Sequence, residues 1–135
     1  MTSEAKNTIF DPLRRKQVAA TPEEQVRQSV IRWLLDDQKI PISRMASEWS
    51  FKYNGLLYRA DIVAFARDLS PALLVECKAP DVPITREVID QGLRYNRVLN
   101  VRYMMWTNSK DIFICERIGE GPEYRFLETL PNFAI

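Results

Sequence analysis

In LLYRADIVAFARDLSPALLVECK, residues 56–78, two apolar runs flank a turn, and their reading decides the fold. Residues 56–66 carry Tyr58, Ile62, Val63 and Phe65, the side chains that suit a pleated sheet, around the acid Asp61. Residues 67–71, ending in Ser70-Pro71, have turn chemistry. Residues 72–78 form the next strand, and its apolar half, Ala72-Leu73-Leu74-Val75, suits a central position covered on both faces. Its end is polar: Glu76 and Lys78, two apart on a strand, point to one face. An isolated charge on a covered face is costly, so this end asks for partners. Folding the two strands about Leu69 sets position 61 opposite position 77. A bulge or a one-residue slip then brings Asp61 and Glu76 onto one face.

Outward from this core, Met45, Ser47, Trp49, Phe51 and Tyr53 alternate with Ala46, Glu48, Ser50 and Lys52, which predicts a preceding strand. Asn54-Gly55 is the favoured pair for a two-residue hairpin turn, and it sets Glu48 opposite Asp61. Glu48 then either adds a carboxylate to the cluster or faces water, the second being favoured. Thr21-Pro22-Glu23-Glu24 starts a helix, with Thr21 as cap, Pro22 first and Glu24 closing a capping box. Val26, Val30, Trp33 and Leu34 continue it at helical spacing, and Asp36-Asp37 with Pro41 end it. Residues 1–20, including Arg14-Arg15-Lys16, read as a solvated arm before a single domain at residues 21–135. Beyond Pro80 and Pro83 a second helix starts at Thr85, stapled by Ile84 and Ile89, with Val88, Gln91, Gly92, Tyr95, Val98 and Leu99 on one face. Residues 103–106 and 112–115 predict two more short strands, and residues 123–135 a further edge strand and a tail. The order α-β-β-β-α-β-β predicts an α/β fold with a mixed central sheet flanked by helices.

Composition narrows the chemistry. The 135 residues, 46% hydrophobic, suffice for one real core. Nineteen basic and eighteen acidic residues leave a charge of +1, so polyanions feel no global pull. The absence of histidine excludes Ser–His–Asp and Cys–His nucleophiles and His-ligated zinc. Two cysteines, Cys77 and Cys115, are too few for a thiolate zinc site and read as small core hydrophobes, in a reduced cytoplasmic protein. Four glycines spell neither a P-loop nor a dinucleotide fingerprint. No apolar run approaches the roughly 18 residues of a membrane span. What remains is carboxylate, lysine and amide chemistry with a hard metal. Converging Asp61 and Glu76 repel unless a cation lies between them. Oxygen donors alone favour Mg²⁺, or Mn²⁺ in its place, with the Cys77 backbone carbonyl as a further ligand. Lys78 then polarises a metal-bound water or holds a phosphate. Arg94 and Arg97 beside Gln91 form either a local phosphate track or a solvated helix face, while Tyr95 and Trp106 suit the core.

Asp61 followed fifteen positions later by Glu76-Cys77-Lys78 resembles the PD-(D/E)xK nuclease superfamily. TPEEQVRQ, RADIVAF, LLVECKAP and DQGLRYN, in that order over residues 21–108, resemble the N-terminal nuclease domain of type I restriction enzyme R subunits. The resemblance implies a restriction-endonuclease-like core and a Mg²⁺-dependent DNA endonuclease. By it, Asp61 and Glu76 are metal-binding acids, Lys78 the catalytic lysine, and Glu24 an additional acid that completes the metal site. Gln91 and Tyr95 match the Gln-x-x-x-Tyr pattern of RecB-like nucleases, in which the glutamine orients near the active site and the tyrosine packs or contacts DNA. One departure is Ala60, where the superfamily has proline. The resemblance also implies a helicase or restriction-modification subunit as partner, since 135 residues cannot hold the R-subunit motor. A lone core cuts one strand per site, so double-strand cleavage calls for a homodimer or two successive nicks. The alternatives are a nuclease-fold module that only binds DNA or protein, and a nuclease silent until its partner docks.

Overall fold

The computed structural model describes residues 7–119 and 123–129. Thr21 caps helix α1 (Pro22–Asp36), its hydroxyl accepting from the Glu24 N–H at 3.1 Å, with Pro22 in the first turn. Thr85 caps α2 (Arg86–Leu99) in the same way, accepting from the Val88 N–H at 3.2 Å. Ile84 and Ile89, on either side of that cap, join one core cluster as the staple requires.

Besides a short 3-10 turn at Ile42–Arg44, the described residues form the strands β1 (Thr8–Asp11), β2 (Lys16–Ala19), β3 (Met45–Tyr53), β4 (Leu56–Phe65), β5 (Pro71–Cys77), β6 (Tyr103–Thr107), β7 (Ile112–Arg117) and β8 (Tyr124–Leu127). The last six form one sheet in chain order. The β5–β6 pair is parallel and every other pair antiparallel, so the sheet is mixed as expected. A parallel pair needs a long crossover, which α2 supplies. Helix α1 covers one face, packing Val26, Val30, Ile31 and Leu34 with Ile62, Leu73, Val75 and Met105. Helix α2 covers the other, packing Ile89 with Val63, Leu74, Met104 and Trp106. Cys77 and Cys115 are free, buried members of these clusters, as read from the sequence.

Gly92 lets α2 sit close to the sheet. A Cβ there would meet Trp106 Cζ2 at 2.7 Å, and Trp106 is only 1% exposed, so the ring cannot step aside. Gly92→Ala should destabilise the protein by about 1–3 kcal/mol of overpacking, despite alanine's better helix propensity. A thermal melt checks this, and a midpoint at or above the parent's would refute it.

Three features depart from the expected arrangement. First, β4 and β5 pair Ile62 with Val75 and Ala64 with Leu73, but Phe65 with Pro71, so Ala72 is an extra residue. This bulge shifts the register by one, so that the ladder, continued one residue past Ile62–Val75, sets Asp61 opposite Glu76, where the Phe65–Pro71 register would give Val75 and a fold about Leu69 gives Cys77. Second, the alternation of β3 does not run unbroken from Met45 to Tyr53. Met45 packs in the α1 cluster while Trp49 packs against the α2 cluster, and β4 changes face likewise between Ile62 and Ala60. The change falls at Glu48, which has φ +54°, and at Asp61, the facing positions missing from the β3–β4 ladder. Third, the arm is not featureless: β1 and β2 form an antiparallel hairpin. Its link carries Arg14, whose guanidinium is drawn into the protein by acids instead of being solvated.

Candidate active site

The site lies where the pleat of β3 and β4 breaks beside the polar end of β5. Asp61 Oδ2 accepts from the Cys77 backbone N–H at 2.7 Å, and Oδ1 from Arg27 Nη2 at 3.2 Å. Leu74 belongs to the α2-side cluster, and Glu76 follows it two residues on along β5 on the same face, with Lys78 just past the strand end. The Lys78 backbone N–H is tied to the Thr107 carbonyl at 2.9 Å, which steadies the strand end. Register and sequence thus bring together Asp61, Glu76 and Lys78.

Electrostatics register the crowding. Burial, then the Asp61 carboxylate, push the Glu76 carboxyl up to about 8, with Lys78 acting the other way. Burial also holds the Asp61 carboxyl above its usual range, against the lowering pull of the Cys77 N–H, Arg27 and Lys78. Burial, with Asp61 adding to it, pushes the Cys77 thiol up, and it is the backbone N–H rather than the thiol that meets Asp61.

The two helix acids have different surroundings. Glu24 is buried and engaged: Oε1 accepts from Arg14 Nη2 at 2.7 Å and Oε2 from Gln28 Nε2 at 2.9 Å. Glu23, its neighbour, is the acid of α1 whose charge acts on Glu76. Glu48 is half-exposed and bound to arginines, with Arg14 Nη1 at 3.1 Å, Arg59 Nη1 at 3.4 Å and Arg27 Nη1 at 3.5 Å. Its negative charge is felt at Asp61, so it faces this cluster rather than water alone.

Gln91 is exposed on α2 and its amide donates to the Tyr95 hydroxyl. The half-buried Tyr95 ring packs on Tyr58, with centroids 4.2 Å apart, and edge-on to Phe51 at 6.2 Å. Arg94 is exposed, and the Arg97 side chain lies outside the described residues. Trp106 is core, as expected.

Arg27 and Arg14 were not legible as site residues. Arg14 was hidden because its partners Asp11, Glu24 and Glu48 come from three elements. Arg27 did leave a signal. Glu24, Arg27, Gln28 and Ile31 fall on one helical stripe, and all four are buried. Charged residues on the inward stripe of a helix require buried partners.

A metal is tested by the donor set. Among the described residues, no three His, Cys, Asp or Glu side chains are gathered to hold an ion by themselves. Two crowded carboxylates with a backbone carbonyl beside them fit a hard divalent cation that keeps several waters. They do not fit a cation that needs a full protein cage.

Residues 22–131 match the family described as type I restriction enzyme R protein N terminus. The chain belongs to that family. A solved structure, a fragment assigned to an HsdR subunit of a type I restriction enzyme from Vibrio vulnificus YJ016, shares the fold. It has a TM-score of 0.58 at 19% identity, and the match covers 82% of this chain and 23% of that one. The chain therefore spans under a quarter of that structure's length, and its mixed sheet with two flanking helices is a restriction-endonuclease-like core. No curated protein gives a significant match. No helix among the described residues is long and apolar enough to cross a membrane.

Proposed function

We propose that this R-protein N-terminal chain is the nuclease module of a restriction system, hydrolysing DNA phosphodiesters with Mg²⁺ or Mn²⁺. The observation that carries the reading is the β4–β5 bulge, whose register, continued past Ile62–Val75, sets Asp61 opposite Glu76, with Lys78 two residues on and its charge acting on both acids. Asp61, Glu76 and the Cys77 carbonyl would hold the ion, which supplies Lewis-acid activation of water and of the phosphate. The Cys77 N–H fixes the Asp61 carboxylate. Lys78 brings a positive charge beside the two acids, where it stabilises charge building on the phosphate. Gln91, bonded to Tyr95 on α2, supports the same face, and Arg94 adds a phosphate contact. Glu24 serves through its bonds to Arg14 and Gln28. The remaining subunits of such a complex would deliver specificity and translocation.

The test is incubation of the purified chain with supercoiled plasmid and single-stranded DNA in Mg²⁺ or Mn²⁺. Metal-dependent cutting that Asp61→Asn lacks is expected. A folded protein that neither cuts nor binds Mn²⁺ would overturn the reading. One that binds Mn²⁺ without cutting would shift it to a nuclease that waits for its partner.

A further inference from the structure

We propose that Arg27 is a positioning residue for Asp61, and that Arg14 of the N-terminal hairpin keeps it on that task. Arg27 lies on α1 with 7% of its surface exposed. Nη1 donates to Ser47 Oγ at 3.0 Å, which anchors the guanidinium to β3 beside the pleat break. Nη2 lies 3.2 Å from Asp61 Oδ1, while the Cys77 N–H holds Oδ2 at 2.7 Å. Two donors from separate elements, one on each oxygen, fix the plane of the carboxylate. Arg27 Nε has no hydrogen-bond partner among the described residues and lies 3.8 Å from Glu24, so the bonding end of the side chain is the one that meets Ser47 and Asp61.

Two other acids compete for this guanidinium. Glu48 lies 3.5 Å from Nη1, closer than Glu24 is to Nε. Arg14 answers both: it holds Glu24 at 2.7 Å and Glu48 at 3.1 Å, while its own Nε is bonded by the fully buried Asp11. Asp11 is fixed in turn by the Leu13 N–H at 2.9 Å. The hairpin thus satisfies the acids that would otherwise draw Arg27 off Asp61. This assigns a task to the segment before α1 and to the arginine of TPEEQVRQ. It rests on the nuclease reading for its consequence in cleavage, but not for its geometry.

The experiment uses the full chain with Arg27→Gln, Arg27→Lys and Arg14→Gln, followed by backbone amide exchange and by DNA cutting in Mn²⁺. In Arg27→Gln the Cys77 amide should exchange about tenfold faster, because its acceptor is no longer held, while the Leu74 and Val75 amides keep their rates. Cutting should fall about 10- to 100-fold, the usual effect of losing a support to a ligand. Arg27→Lys keeps the charge but not the fork, and should recover part of both readings. Arg14→Gln should move both in the same direction by less, and it decides the matter if the Arg27 variants do not fold. Parental Cys77 exchange or parental cutting in a folded Arg27→Gln would overturn the proposal. If the parent itself does not cut, Mn²⁺ binding decides the nuclease reading separately, and Cys77 exchange alone decides the role of Arg27.

Discussion

Lys78→Ala should abolish metal-dependent cutting, with a loss of at least about a hundredfold, and leave the thermal midpoint within a few degrees of the parent. The fold should tolerate the change because the strand end is held by backbone: the Lys78 N–H bonds the Thr107 carbonyl whatever the side chain is. Chemistry should not tolerate it, because Lys78, with Arg27, opposes the upward push on both Glu76 and Asp61, and Arg27 is already bonded to Asp61 and Ser47. Glu76→Gln sharpens the contrast. At neutral pH the metal-free Glu76 carboxyl is mostly protonated, so glutamine copies its shape and charge. This variant should melt at or above the parent temperature and yet fail to cut, since an amide is a poor ligand for a hard cation. Plasmid nicking rates beside thermal melts decide it. If either variant unfolds the protein, the side chain concerned holds the strand end and the catalytic reading of Glu76 and Lys78 loses its support.

Local signals on one element were legible in the sequence. Thr21 and Thr85 cap the helices as read, and Asn54-Gly55 turns the hairpin with both residues at positive φ. The edge strand expected after residue 123 is β8. Partnership between elements was less legible. The bulge that brings Asp61 to Glu76 carries no glycine; its extra residue is Ala72, whose side chain fits strand or bulge alike. The pleat break at Glu48 was hidden for a deeper reason. A non-glycine residue at φ +54° is held by its surroundings, here Arg14, Arg27 and Arg59 from three different elements. The hairpin of β1 and β2 has strands of four residues each, too short for alternation to show. The acids and the lysine could be read from spacing on one strand and across one turn. Arg14 could not, because its partners are distant in sequence, and Arg27 showed only as a charge on the inward stripe of α1 with its partner unnamed.

The metal-free protein should lose stability as pH rises from about 5 to about 8. In the unfolded chain Glu76 ionises near 4.5, and in the folded protein near 8. Between these values the native state keeps a proton that the unfolded state has released, so stability falls with rising pH. Asp61, also held high, acts in the same direction. Burial opposes the low value at Asp11, but Arg14, the Leu13 N–H and Gln28 outweigh it. Arg125 and Arg102 lower the Glu116 carboxyl. Both of those acids lose their contribution only below the ordinary carboxylate range, outside this window. A divalent cation should reverse the trend at the site. Binding requires Glu76 ionised, so Mn²⁺ affinity should climb with pH, by up to about tenfold per unit below 8. Melts from pH 6 to 8.5, with and without Mn²⁺, should therefore diverge: the bare midpoint declines while the metal-induced rise grows. Glu76→Gln should flatten both trends together. A Mn²⁺-induced rise that is independent of pH, or that survives Asp61→Ala, would place the cation elsewhere and detach the raised Glu76 carboxyl from metal binding.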